Sequence, residues 1–102
     1  MKILAEIRVI PLGIGKTSTG EFIARAIEVL KRRKVKHILG PFGTSVEVNG
    51  FQELAEILDE IKNELHKIGV PRVVFDIAVD VRFDKEITLE YKVKTVEKKL
   101  TT

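Results

Sequence analysis

Residues 35–48 read Val-Lys-His-Ile-Leu-Gly-Pro-Phe-Gly-Thr-Ser-Val-Glu-Val, and the fold turns on them. Two short runs, 35–39 and 44–48, flank Gly40, Pro41 and Gly43. Glycine and proline so placed make a sharp reversal, so the runs are expected to be the two arms of a hairpin. A turn needs those three residues. It does not need the hydroxyls of Thr44 and Ser45 and the carboxylate of Glu47 directly afterwards. That placement marks them as candidates for holding a small ligand.

Working outward from the hairpin, residues 3–10 alternate as a strand, with Ile3, Ala5, Ile7 and Val9 on one face. Residues 11–15 end it. Ser18 and Glu21 have capping-box spacing. Phe22, Ile23, Ala26, Ile27 and Leu30 then repeat with helical period, and the helix is expected to end near Lys34. After the hairpin, Asn49 and Gln52 form a second candidate capping pair. Phe51, Leu54, Ile57, Leu58, Ile61, Leu65 and Ile68 define an amphipathic helix that stops at Gly69, with Pro71 just beyond. Residues 72–83 carry the strongest strand pattern in the chain: Val73, Phe75, Ile77, Val79, Val81 and Phe83 share a face. The tail, 85–102, alternates like a strand but also repeats like a helix at Leu89, Val93, Val96 and Leu100. Its Lys and Glu content favours a helix from about Thr88.

The predicted order is β-α-β-β-α-β plus a tail. With short connections and right-handed crossovers, this order resolves into an α+β, ferredoxin-like sandwich with an antiparallel sheet and an additional C-terminal helix. Residues 1–102 are read as one such domain, with 85–102 as an extension. The first and third strands are expected at the centre, with two helices over one face. On the expected register Leu4, Glu6, Arg8, Ser45, Glu47, Asp76, Asp80 and Arg82 line the other face. An open sheet face of this kind binds something or stacks on another subunit.

Composition narrows the classes. Eighteen Lys and Arg against fifteen Asp and Glu leave a net charge of +3, too mild and too dispersed to argue for nucleic acid. The absence of cysteine removes disulfides, thiolate chemistry and thiolate-bound metals. No apolar run is long enough for a membrane span, and no leader is evident at the start, so a cytoplasmic protein is expected.

Four other features could carry chemistry. Gly13-Ile-Gly-Lys-Thr-Ser resembles a phosphate loop, but the leading glycine of that pattern is replaced by Ile10. An ordinary loop capped by Ser18 is the favoured reading, with anion binding at the helix start as the alternative. Five basic residues in 31–36 lack interleaved aromatics and read as a solvated helix end. His37 and His66 have no second ligand at metal spacing. Asp76 and Asp80 read as ion pairs with the flanking Arg72 and Arg82 rather than as an acid–base couple. No catalytic constellation emerges, so a non-enzymatic protein is expected.

Three segments carry a family resemblance: the first strand running into Pro11-Leu12-Gly13, residues 40–47, and Arg72 through Arg82-Phe83-Asp84-Lys85. Together they resemble the thiamine-binding, YkoF-like family of small ferredoxin-like proteins. The family pattern Pro-Met-Gly-Thr, followed by Glu three residues later, is met here with Phe42 in place of Met. The chain departs from the pattern at 48–50 and at Lys16-Thr17. The resemblance implies subunits that associate into dimers or tetramers through their sheets, and binding of thiamine or its hydroxymethylpyrimidine portion, with no catalysis. The candidate ligand-binding set is Phe42, Thr44, Ser45 and Glu47, with Ser18 and Arg82. Phe42 offers an aromatic face, Thr44 and Ser45 donate and accept, and Glu47 suits the ligand's amine or cation. The other reading of Glu47, an ion pair with Arg8 or Arg82, stays open beside it, as does a purely structural interaction module with no ligand.

Overall fold

The computed structural model describes residues 1–100. The elements are β1 (Ile3–Leu12), α1 (Gly20–Arg32), β2 (Lys36–Leu39), β3 (Thr44–Val48), α2 (Phe51–Lys67), β4 (Arg72–Asp80) and α3 (Leu89–Leu100). The four strands form one sheet in the order β2-β3-β1-β4, and every neighbouring pair is antiparallel. This is the expected ferredoxin-like α+β sandwich with an added C-terminal helix. β1 and β3 are central because each helical crossover skips one strand position: α1 carries the chain from β1 to β2 on the far side of β3, and α2 carries it from β3 to β4 on the far side of β1, so β1 and β3 pair with each other.

Strand alternation sets the two faces. Ile3, Ala5 and Ile7 of β1 and Val46 and Val48 of β3 are buried toward the helices. They meet Phe22, Ala26, Val29 and Leu30 of α1 and Leu54, Ile57, Ile61 and Leu65 of α2. Val29, Ile57 and Leu65 are fully enclosed, and each such side chain contributes about 1.5–3 kcal/mol when taken out of water. Pro11 lies within β1, against Val73. The strand tolerates it because pairing with β3 stops at Ile7, so β1 is an edge there.

Helix ends differ from the expected capping in instructive ways. Ser18 does not cap α1: Thr19 precedes the helix without a side-chain cap, and Glu21 pairs with Lys16 instead. At α2 the expected Asn49–Gln52 pair is replaced by one step along the chain. Glu53 reaches back and accepts the Asn49 N–H at 2.7 Å, while Gly50 takes the cap position. α1 ends at Arg32, two residues before the expected Lys34, which takes a left-handed φ of 56°. Gly69 closes α2 as expected, with φ +92°, and the Val70 N–H returns to the Leu65 carbonyl.

Two apolar residues expected inside lie outside. Phe51 is exposed because the buried stripe of α2 begins one turn later, at Leu54. Phe83 is 86% exposed because β4 stops at Asp80, three residues short of the expected end. β1 runs out of partners there: its register with β4 ends at Leu4 opposite Asp80. The expected helical tail is present over Leu89–Leu100; residues 101–102 of that expectation lie outside the described residues. α3 lays Leu89 against Leu4 and Ile87 on the sheet face away from α1 and α2, so that face is only partly open.

Candidate functional site

The period-two alternation of β3 divides the candidate residues between two faces. Thr44 shares the helix side with Val46, whereas Ser45 and Glu47 point to the opposite side with Glu6 and Leu4. An expected single cluster around the 40–47 segment is therefore two separate places, and Thr44 and Glu47 are not aimed at one surface.

On the helix side, a cavity of about 210 Å³ lies between α1 and the end of the hairpin. The turn builds its mouth. The Gly40 N–H donates to the Gly43 carbonyl at 2.8 Å, and a Cβ on Gly40 would sit 2.8 Å from that same oxygen, so the position requires glycine. Phe42 sits at the rim and is 83% exposed. Thr44 and Thr19 contribute hydroxyls, and Ile7, Val9, Ile23, Ile27 and Leu30 supply an aliphatic wall. Arg8 reaches the rim from β1. Its Nε donates to the Phe42 carbonyl at 3.2 Å, and an Nη donates to Asp76 of β4 at 3.1 Å. A guanidinium with a planar set of donors is suited to this bridging. Arg8 thus ties the turn to the sheet, a role that its place in an alternating strand gave no sign of.

On the opposite face, Glu47 is buried, with its side chain 3% exposed. Its Oε1 accepts the backbone N–H of Leu89 at 2.7 Å, and Lys36 Nζ lies 3.2 Å away. Lys36 also reaches Glu90 at 2.6 Å, and the Glu90 carboxylate, aided by Glu47, holds the Lys36 ammonium above its ordinary range. Glu47 therefore pairs with neither Arg8 nor Arg82. It satisfies an orphan N–H in the first turn of α3, where a carboxylate also meets the positive end of the helix. Ser45 lies beside it in a shallow hollow bordered by Glu6, Asp80, Leu89 and Lys92.

The remaining candidates lie apart. Ser18 is exposed in the loop before α1, outside both hollows. Arg82 has left the sheet and pairs with Asp84. Asp76 and Asp80 do form ion pairs, but with Arg8 and Lys92 rather than Arg72 and Arg82. The basic run at 31–36 is not simply solvated: Arg32 and Arg33 bridge to Glu56, Glu60 and Glu64 of α2. His37 donates from Nδ1 to the Val35 carbonyl. Among the described residues no group of three or more His, Asp or Glu side chains is arranged to hold a metal ion, and no helix is long and apolar enough to cross a membrane.

Fold and cavity together define a small ferredoxin-like sandwich with an apolar recess closed by a Gly-Pro-Phe-Gly turn. The chain belongs to the thiamine-binding protein family, whose model matches residues 5–97. A UPF0045 protein of Methanocaldococcus jannaschii is 39% identical over 93% of this chain and 92% of its own length. A UPF0045 protein of Methanothermobacter thermautotrophicus is 34% identical over 96% and 99%. The crystal structure of the M. jannaschii protein superposes with a TM-score of 0.81, covering 94% of this chain and 96% of that one. A proposed thiamine biosynthesis/salvage protein of Thermotoga maritima superposes with a TM-score of 0.79 at 29% identity, covering 94% and 99%.

Proposed function

We propose that this protein is a non-catalytic, cytoplasmic binding protein for thiamine or its hydroxymethylpyrimidine portion, acting as a carrier, buffer or sensor. The observation that carries this reading is the recess of about 210 Å³ behind Phe42 and Thr44, in a chain of the thiamine-binding family. A mostly apolar concavity with a few convergent polar groups is the usual form of a small-molecule site. Phe42 can close over a ring, and the hydroxyls of Thr44 and Thr19 can serve either a ring nitrogen or an amine. Glu47 would then act from the other face of the sheet, on the position of α3 rather than on the ligand, and Ser45 would lie on that face beside it. Calorimetry with thiamine and hydroxymethylpyrimidine tests the reading. Binding of either is expected, and Thr44→Val should weaken it about two- to tenfold, the value of one hydrogen bond, without lowering the melting temperature much. Absence of heat and of any thermal shift at millimolar ligand would remove the proposal.

A second reading has its own observation. Val93, Val96 and Leu100 are exposed along one side of α3, beyond the sheet. An uncovered helical stripe of this kind favours self-association, into a dimer or tetramer, through α3 and the sheet face. The two readings are compatible, and light scattering on dilute protein without ligand tests the second independently of the first.

A further inference from the structure

We infer that the free edge of β4 is a pairing surface for a second copy of this chain, joined antiparallel about a two-fold axis at Asp76, so that two four-stranded sheets run on as one. This surface is the edge of the sheet, distinct from α3 and from the sheet face, and ligand binding in the recess does not depend on it.

An edge strand offers a row of unpaired backbone N–H and C=O groups, and proteins that stay apart blunt their edges by shortness, lysine, proline or a bulge. The two edges of this sheet differ in that respect. β2 has four residues, begins on Lys36 and runs toward Pro41. β4 has nine residues with no lysine, proline or glycine among them. Its register with β1 runs from Arg72 to Asp80 without a bulge. Yet none of the nine is buried. Val74 and Val79 are each 37% exposed, and Val73, Phe75 and Ile77 are only partly covered from the helix side. β1 pairs with β4 on one side, and among the described residues no strand pairs with it on the other.

The order of side chains along β4 says what fits there. Directly opposed residues of an antiparallel pair share a face of the sheet. Full overlap of two β4 strands therefore sets Val73 against Val79, Val74 against Ala78 and Phe75 against Ile77 of the second copy, each an apolar match. Arg72 meets Asp80 of the second copy, and the two-fold axis repeats that pair at the other end. Arg72 has no ion pair within its own chain among the described residues, and the Asp80 carboxylate, which already accepts from Lys92, has lone pairs left for a second donor. Asp76 faces its own counterpart, the one like-charge pair, but each copy holds that carboxylate with Arg8 at 3.1 Å. A slip of two residues in either direction is worse. One sets Val74 against Asp76 and Arg72 against Ala78, and the other sets Val74 against Asp80 and Asp76 against Ala78. Both lose the Arg72–Asp80 pair and oppose a carboxylate to an apolar side chain. Self-complementarity in one register selects a second copy over a strand of another protein.

The chain contains no cysteine, so the register can be read by cross-linking with single cysteine variants of the whole chain under an added oxidant. Opposed Cα atoms of an antiparallel pair lie about 4.5–5.5 Å apart, within the reach of a disulfide. Asp76→Cys alone is expected to link two copies. Val74→Cys alone and Ala78→Cys alone should not, because each would stand about 13 Å along the strand from its counterpart. An equal mixture of the Val74→Cys and Ala78→Cys proteins should link, and it carries the test if Asp76→Cys does not fold. Light scattering or sedimentation over a concentration series gives the second readout. Arg72→Glu sets two like-charge pairs across the junction and is expected to weaken dimerisation at least about tenfold, while Arg72→Lys keeps it, and thermal melts establish that both variants are folded. A parent that stays monomeric at high concentration overturns the inference. So does linking of Val74→Cys alone as readily as of the mixture, which would place the contact on the sheet face, and so does a dimer unmoved by Arg72→Glu.

Discussion

At the scale of single residues, Glu47 shows how a buried carboxylate can hold an element 42 positions away. Its oxygen accepts the Leu89 N–H and faces Lys36, so the start of α3 is fixed to the sheet by one side chain. Removing it strands a buried N–H and leaves Lys36 with Glu90 alone. Glu47→Ala is therefore expected to destabilise by about 1–3 kcal/mol, the cost of an unsatisfied buried partner. Glu47→Gln should cost less, because the amide oxygen can still accept from Leu89. Urea unfolding measures both, and hydrogen exchange should show the loss concentrated at the Leu89 end of α3. An alanine variant as stable as the parent would mean that α3 docks by other means. This contact was not legible in the sequence. A Glu after a turn reads equally as a ligand group or an ion pair, and nothing local to residues 40–47 names Leu89. Alternation did show that Ser45 and Glu47 share a face, and the same alternation places Thr44 on the other one.

At the scale of elements, α1 and α2 are joined above their apolar seam by charge. Arg32 donates to Glu60 and Glu64, and Arg33 to Glu60, at 2.6–2.9 Å. The Arg32 and then the Arg33 guanidinium hold the Glu60 carboxyl below the usual carboxylate range. A folded-state value below the unfolded one means that the ionised form stabilises the fold. That contribution is complete above the unfolded carboxylate value, about 4.3, and is lost as pH falls through the lower folded value. Unfolding free energy should accordingly drop below about pH 4, and Glu60→Gln should make the acid slope shallower. High salt should weaken the effect too, since these groups are partly exposed and screened. An acid slope unchanged by Glu60→Gln would show that Glu60 is not its source. The sequence displayed the basic residues at the end of α1 and the amphipathic face of α2, but it could not say that the two helices lie side by side at that height. The apolar periods of both helices and the stop at Gly69 were readable because they are set by local geometry. The end of β4 was not, because Phe83 continues the alternation after β1 has stopped pairing.

At the scale of the whole molecule the shape is long: 48 × 30 × 20 Å, with a radius of gyration of 15.1 Å. A chain of this length packed as a compact domain has a radius near 13 Å. α3 fits the difference, since it is docked through Leu89 while Val93, Val96 and Leu100, at spacings of three and four, are 55%, 56% and 78% exposed. If two copies joined these stripes, six partly exposed side chains would be covered. At about 1 kcal/mol for each remaining exposed fraction, the gain is about 6 kcal/mol. Association itself costs about 4–15 kcal/mol, so the stripe alone supports only weak pairing, and stable assembly would have to recruit the sheet face beside it. Such a balance is easily tipped. Val96→Glu should leave monomer stability within about 0.5 kcal/mol, as for other exposed positions, yet shift the mass seen by light scattering toward the monomer at every protein concentration. Assembly with the same concentration dependence in parent and variant would place the contact elsewhere on the molecule. A parent that stays monomeric at high concentration would mean that α3 carries its apolar stripe for some purpose other than joining copies of this chain.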